Sequence, residues 1–130
     1  MKHLMPLEAQ ALLAAERSAV FVDCRSEMEF LFVGHPVGAM MIPWNDGPDW
    51  EINPHFVGQV KKACGHSTLR PVVIICRSGN RSVDAGQALE AAGFTRVYNV
   101  LEGFEGDLDD DHQRGNLGGW RHSGLSWEQV

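Results

Sequence analysis

The stretch of this 130-residue chain best equipped for chemistry is Cys76-Arg77-Ser78-Gly79-Asn80-Arg81-Ser82. It places a thiol and two guanidinium groups within seven residues, with a glycine between them. A thiol reacts as its thiolate, and nearby cations or a helix N-terminus favour that form. Gly79 lets the backbone curl so that successive N–H groups turn inward as an anion-binding nest. Arg77 and Arg81 add charge, and Ser78, Asn80 and Ser82 complete the candidate substrate-binding set. A nucleophile and an anion site then coincide, as attack on an anionic substrate requires. A cysteine that merely ends a buried strand is more often a small core residue. Cys and Arg in a Cys-x4-Arg spacing, with Gly between them at a strand-to-helix junction, are far more specific.

That junction depends on the elements around it. Val72-Val73-Ile74-Ile75-Cys76 is a continuous β-branched run, as expected for a central parallel strand buried on both faces. Residues 19–23 form a second such run, and 39–43 and 96–100 form weaker ones. Helical patterns lie between them. Residues 6–16 begin with Pro at the first helical position. Residues 26–30 begin with Ser26 and carry Glu29 three residues on, a capping box. Residues 54–63 follow Asn53 as N-cap and stop at Gly65, and 82–92 stop at Gly93. Alternating strands and helices predict an α/β fold with a mostly parallel central sheet and helices on both faces. Ligands of such sheets bind at the carboxyl ends of the strands, where Cys76 falls. A helix N-terminus near Ser82 would add unpaired N–H groups and the positive end of its dipole.

Length and composition set the frame. One hundred and thirty residues predict one domain with one real core. Hydrophobic residues at 44% and charged residues at 22% argue against a disordered or fibrous chain. No apolar run approaches the roughly 20 residues that span a bilayer. The first residues, Met1 to Glu8, lack the apolar region of a secretory signal. A cytoplasmic setting is therefore expected, with Cys24, Cys64 and Cys76 as free thiols. A net charge of −6, with only 11 Lys and Arg, argues against nucleic acid and anionic membranes as partners.

Three segments together resemble the single-domain rhodaneses, the thiosulfate sulfurtransferase-like family that carries sulfur as a cysteine persulfide. Phe21-Val22-Asp23-Cys24-Arg25, followed by Glu29-Phe30, resembles the family's first strand and its acidic-aromatic helix. Gly34-His35-Pro36-Val37-Gly38-Ala39-Met40-Met41-Ile42-Pro43 resembles its Gly-His-x-x-Gly-Ala-x-x-Ile-Pro segment, with Pro36-Val37 where Ile-Pro is usual. Cys76 to Ser82 resembles its active-site loop. After the last strand, Leu101-Glu102-Gly103-Phe104 stands where Leu-x-Gly-Gly is common. The match covers about residues 7–106, leaving 107–130 as a C-terminal extension expected to pack back on the domain.

The resemblance implies a function. Cys76 would be the nucleophile that takes a sulfane sulfur from thiosulfate or a related donor. A thiol, on a small molecule or a protein, or cyanide would accept it. No metal or organic cofactor is implied. The six-residue Cys-x4-Arg loop resembles that of sulfurtransferases. Phosphatases on a related scaffold use seven residues to cradle phosphate. A phosphatase or arsenate reductase is thus the alternative, and a non-catalytic sulfur-sensing module is a third reading.

Other residues carry weaker signals. Asp23 and Arg25 could brace the site or simply form a stabilising ion pair. His35 reads as a hydrogen-bonding scaffold. Cys24 reads as a packing residue, with a resolving disulfide to Cys76 as the alternative. Cys64-Gly65-His66 resembles half a metal site but has no second half at suitable spacing. Asp107, Asp109, Asp110 and Asp111 lack the spacing of a calcium loop and read as a solvated face. Residues 102–112 could hold a short helix. Trp44, Trp50, Trp120 and Trp127 are expected to cover the core, with one of them available to line an acceptor cleft.

Overall fold

A computed structural model describes residues 1–130. The β-branched runs form the middle of a five-stranded sheet. Its strands are β1 (Lys2–Leu4), β2 (Val20–Asp23), β4 (Met40–Met41), β5 (Val72–Ile75) and β6 (Val97–Val100). Their spatial order is β1-β6-β5-β2-β4, and every pair is parallel. β2 and β5 are buried along their whole length, as the apolar run of β5 and the Val-Phe-Val of β2 require, and the buried Asp23 that ends β2 is paired with Arg25. Helices α1 (Pro6–Ala15), α2 (Phe56–Ala63) and α3 (Arg81–Ala91) connect these parallel strands, and α3 joins the adjacent pair β5 and β6.

The two-residue period of the strands sorts side chains onto two cores. One face carries Val20, Val22, Cys24, Val72, Ile74 and Cys76, packed against Phe56 and Val60 of α2 and Ala85 and Leu89 of α3. The other carries Phe21, Val73, Ile75 and Val100, packed against Ala9 of α1, Phe104 and Trp120. Helices therefore cover both faces of the sheet.

Several elements differ from the sequence pattern. β1 is short and polar, so its pairing with β6 left no periodic signal. Ser26 and Glu29 do exchange the expected capping bonds. The helix they open then widens into a π-helical turn over Glu29–Val33 and ends at Gly34 with φ +113°. α2 starts at Phe56, because Asn53 Oδ1 accepts the His55 N–H at 2.9 Å and holds the chain in a turn. Residues 102–112 form turns, not a helix. Glu102, Gly103, Gly106 and His112 all have positive φ, which interrupts any right-handed run.

The C-terminal extension returns to the second core through Trp120 and Leu125. Trp120 is 1% exposed and its ring centroid lies 5.1 Å from that of Phe21. Its backbone N–H donates to the Gly103 carbonyl at 2.8 Å. Further on, β7 (Trp127–Glu128) pairs antiparallel with β3 (His35–Pro36) as a separate two-stranded ribbon.

Candidate active site

Cys76 lies one residue beyond β5, and α3 begins five residues later at Arg81. The intervening turn closes over the sulfur. The Gly79 N–H points at Cys76 Sγ from 3.2 Å, and the Ser82 N–H from 3.4 Å. Ser82 Oγ lies 3.1 Å from the same sulfur. Gly79 has φ +102°, the conformation that turns its N–H inward and that a side chain would resist.

The opposite side of the loop is held by the turn after β6. The Phe104 N–H donates to the Cys76 carbonyl at 2.8 Å, and the Glu105 N–H to the Arg77 carbonyl at 2.9 Å. These bonds turn the loop carbonyls away from the sulfur and leave N–H groups facing it. Gly103 makes this approach possible. A Cβ there would come within 2.4 Å of the Cys76 carbonyl oxygen.

Cys24 completes the surroundings of the thiol. Asp23 pairs with Ile75 in the β2–β5 ladder, and the Cys24 N–H donates to the Ile75 carbonyl at 2.9 Å. Cys24 is therefore the lateral neighbour of Cys76, on the same face of the sheet. The neighbouring Cys24 thiol is the largest influence lowering Cys76, ahead of the Ser82 hydroxyl and the loop N–H groups. Together they outweigh burial and bring the Cys76 thiol down to about 5. Burial pushes Cys24 the other way, well above the usual thiol range, and the charge on Cys76 adds to it.

Ser82 connects this centre to a buried polar chain. Its hydroxyl also faces Asn99 Oδ1, and Asn99 Nδ2 lies 3.1 Å from His3 Nδ1. One hydroxyl proton cannot serve both Asn99 and the sulfur. A thiolate only accepts, so when Cys76 is ionised the Ser82 proton must turn to it, and Asn99 must present Nδ2 to Ser82 instead.

The two arginines have different places. The Arg81 guanidinium grips Glu29, with Nη1 to Oε1 and Nη2 to Oε2 both 2.8 Å. It reaches the site as one half of an ion pair that ties α3 to the π-helical turn. Burial alone would raise the Glu29 carboxyl, but Arg81 and Ser26 more than offset it and hold it at about 2. Arg77 is exposed and lines, with Glu29, Trp50 and Arg81, an open pocket beside the loop. Ser78 is half-buried, and Asn80 is exposed at the N-cap of α3 without a side-chain cap bond. Cys76 itself is only 1% exposed, beneath the loop that carries Arg77.

The supporting residues brace the frame rather than the thiol. Asp23 and Arg25 form a fully buried pair, with Arg25 Nη2 2.7 Å from Asp23 Oδ2 and 2.6 Å from the Gly34 carbonyl. Arg25 also lies over the Phe104 ring. His35 stacks on Phe30, with Nδ1 2.9 Å from the Phe30 carbonyl and Nε2 3.2 Å from Glu128. Cys64 is buried in the first core, near the end of α2. Sequence spacing alone did not single out Glu29, Trp50 and Asn99 as site residues. Glu29 was visible as a capping residue and as the acidic member of the acidic-aromatic helix, Trp50 as one of four tryptophans that could line a cleft, and Asn99 as a polar interruption in an otherwise apolar strand.

Comparison with known proteins accords with this architecture. A family model described as a Rhodanese-like domain matches residues 5–109. Thiosulfate sulfurtransferase 16, chloroplastic, of Arabidopsis thaliana is 37% identical over 95 residues, covering 72% of this chain and 74% of that protein. Thiosulfate sulfurtransferase GlpE of Pseudomonas fluorescens strain SBW25 is 32% identical over 104 residues, covering 80% and 82%. The crystal structure of Rv0390 from M. tuberculosis superposes with a TM-score of 0.87 at 37% identity, over 100% of this chain and 98% of that one. With a matching model across most of its length, and the parallel sheet and cysteine loop in place, the chain belongs to the rhodanese-like domain family.

Proposed function

We propose that the protein is a sulfurtransferase that carries sulfane sulfur as a persulfide on Cys76. The observation that carries this reading is the Cys76 sulfur, held by the Gly79 and Ser82 N–H groups and lowered to about 5. Such a sulfur is a thiolate at neutral pH and is ready to attack. In the first half-reaction it attacks the terminal sulfur of thiosulfate. A Cys76–sulfur bond forms, the sulfur–sulfur bond of the donor breaks, and sulfite leaves with the electron pair. Arg77, exposed in the pocket, and the loop N–H groups attract the anionic donor and its leaving group. In the second half-reaction a thiolate or cyanide attacks the outer sulfur and returns the Cys76 thiolate. No cofactor takes part in either step.

The acceptor is a small thiol, a protein thiol or cyanide, and neither nucleic acid nor membrane is a partner. No helix is long and apolar enough to cross a membrane. A cytoplasmic setting fits the three free cysteines, which reductants there keep as thiols. The test compares thiosulfate:cyanide transfer with aryl phosphate hydrolysis, in wild type and Cys76→Ser. The expected result is thiocyanate formation by wild type alone and no phosphatase activity in either. Cys76-dependent phosphate release without thiocyanate would replace this reading with phosphoryl chemistry.

A further inference from the structure

Two thiols meet at the site, and sulfur transfer to an external acceptor uses only one. Cys24 and Cys76 stand opposed one residue beyond the ends of the adjacent parallel strands β2 and β5, as the Asp23–Ile75 register and the Cys24 N–H bond to the Ile75 carbonyl indicate. Both side chains project to the same face of the sheet. Adjacent strands lie about 4.8 Å apart, inside the ~4.4–6.8 Å between Cα atoms that a disulfide bridges. Neither residue has to leave its strand position to be joined.

From this juxtaposition we infer that Cys24 resolves the Cys76 persulfide, making the protein a sulfide-releasing reductase of sulfane sulfur. The inference rests on the persulfide reading above. The Cys24 sulfur attacks Cys76 Sγ, and a Cys24–Cys76 disulfide forms. The bond between Cys76 Sγ and the outer sulfur breaks, and its electron pair leaves with the outer sulfur. The proton lost by Cys24 leaves with it, so the product is hydrosulfide. The two cysteines are oxidised by two electrons in total, and the sulfane sulfur is reduced by two. A dithiol reductant from solution then exchanges with the disulfide and restores both thiols.

The resting chemistry suits this order of events. While Cys76 carries the negative charge, burial and that charge keep Cys24 protonated and inert. Loading moves the charge to the outer sulfur and creates the electrophilic Cys76 sulfur at the same time. Cys24 is fully buried, so it resolves its own chain's persulfide rather than meeting outside substrates. Cys64 lies at the end of α2, away from the ladder that joins the other two, and takes no part.

The test mixes the protein with thiosulfate in the absence of air and of any reductant. Sulfite, sulfide and intact mass are followed in wild type, Cys24→Ser and Cys24→Ala. Each form should release sulfite, which reports loading, and both variants should do so more slowly than wild type because they lose the thiol that most lowers Cys76. Wild type should then release sulfide at a rate independent of protein concentration. It should end about 2 Da lighter than it began, with Cys24 and Cys76 in one linked peptide. Both variants should release no sulfide and stay about 32 Da heavy as the persulfide. Sulfite without sulfide from wild type, with the heavy form persisting as in the variants, would overturn the role of Cys24 and leave the persulfide reading intact. Absence of sulfite from all three would overturn the persulfide reading itself, and this inference with it.

Discussion

At the scale of single residues, the thiol is tuned by hydrogen bonds more than by net positive charge. Arg81 spends its guanidinium on Glu29, whereas Cys24, Ser82 and Gly79 all address the sulfur directly. Alkylation of Cys76 by iodoacetamide should accordingly titrate near the lowered value of about 5. A free thiol titrates near 8.5. Ser82→Ala removes one of these donors and should move the midpoint upward, which peptide mass spectrometry across a pH series would reveal. A midpoint unchanged from that of a free thiol in wild type would contradict the geometry. The same shift has a stability consequence. Because the folded-state value lies below the unfolded one, ionised Cys76 stabilises the fold fully above about pH 8.5, and that gain is lost as pH falls through about 5. Denaturant midpoints of wild type and Cys76→Ser should therefore diverge between pH 5 and 8 and converge below. The cysteine, its loop and the Asp23–Arg25 pair are legible in sequence, because residue type and spacing suffice to mark them. Glu29, Trp50 and Asn99 are not, because they reach the site through tertiary packing.

At the scale of elements, the loop is a strand end and a helix start clamped by a third segment. β5 and α3 are readable from an apolar run and a glycine stop. The clamp at 102–106 is not, because its acidic residues suit a helix equally well and only backbone φ values decide. Gly103 tests the clamp. Gly103→Ala places a Cβ against the Cys76 and Arg77 carbonyls at φ +61°. The left-handed backbone alone should cost roughly 1–2 kcal/mol. The displaced loop should lose about 100-fold in transfer rate, as a ~1 Å error in a reacting group can produce. Steady-state kinetics, together with circular dichroism to show that the fold persists, would check this. Full activity in a folded Gly103→Ala protein would mean that the clamp does not position Cys76.

At the scale of the whole molecule, residues beyond the matched family region contribute to the frame that holds the site. Trp120 fills the second core beside Phe21, and its backbone bonds to Gly103, the clamp residue. Trp127 meets the Phe104 ring edge-on. The aromatic content of this tail marks it in sequence as packed chain, but its partners lie too far away along the chain for any local pattern to name. Trp120→Ala should lower stability by about 3–5 kcal/mol through the cavity it leaves, read as a fall in the urea midpoint. A change of a few tenths of a kcal/mol would mean that the tail is dispensable to the core. One measurement addresses the proposal that Cys76 carries sulfur most directly: sulfite release and intact mass after mixing Cys24→Ser with thiosulfate. Cys24→Ser keeps a hydrogen-bond donor beside the sulfur and cannot form the internal disulfide. One sulfite per chain is expected, together with an adduct of about 32 Da on the Cys76 peptide that cyanide removes as thiocyanate. An unmodified Cys76 with no sulfite released, or an adduct on another residue, would contradict it.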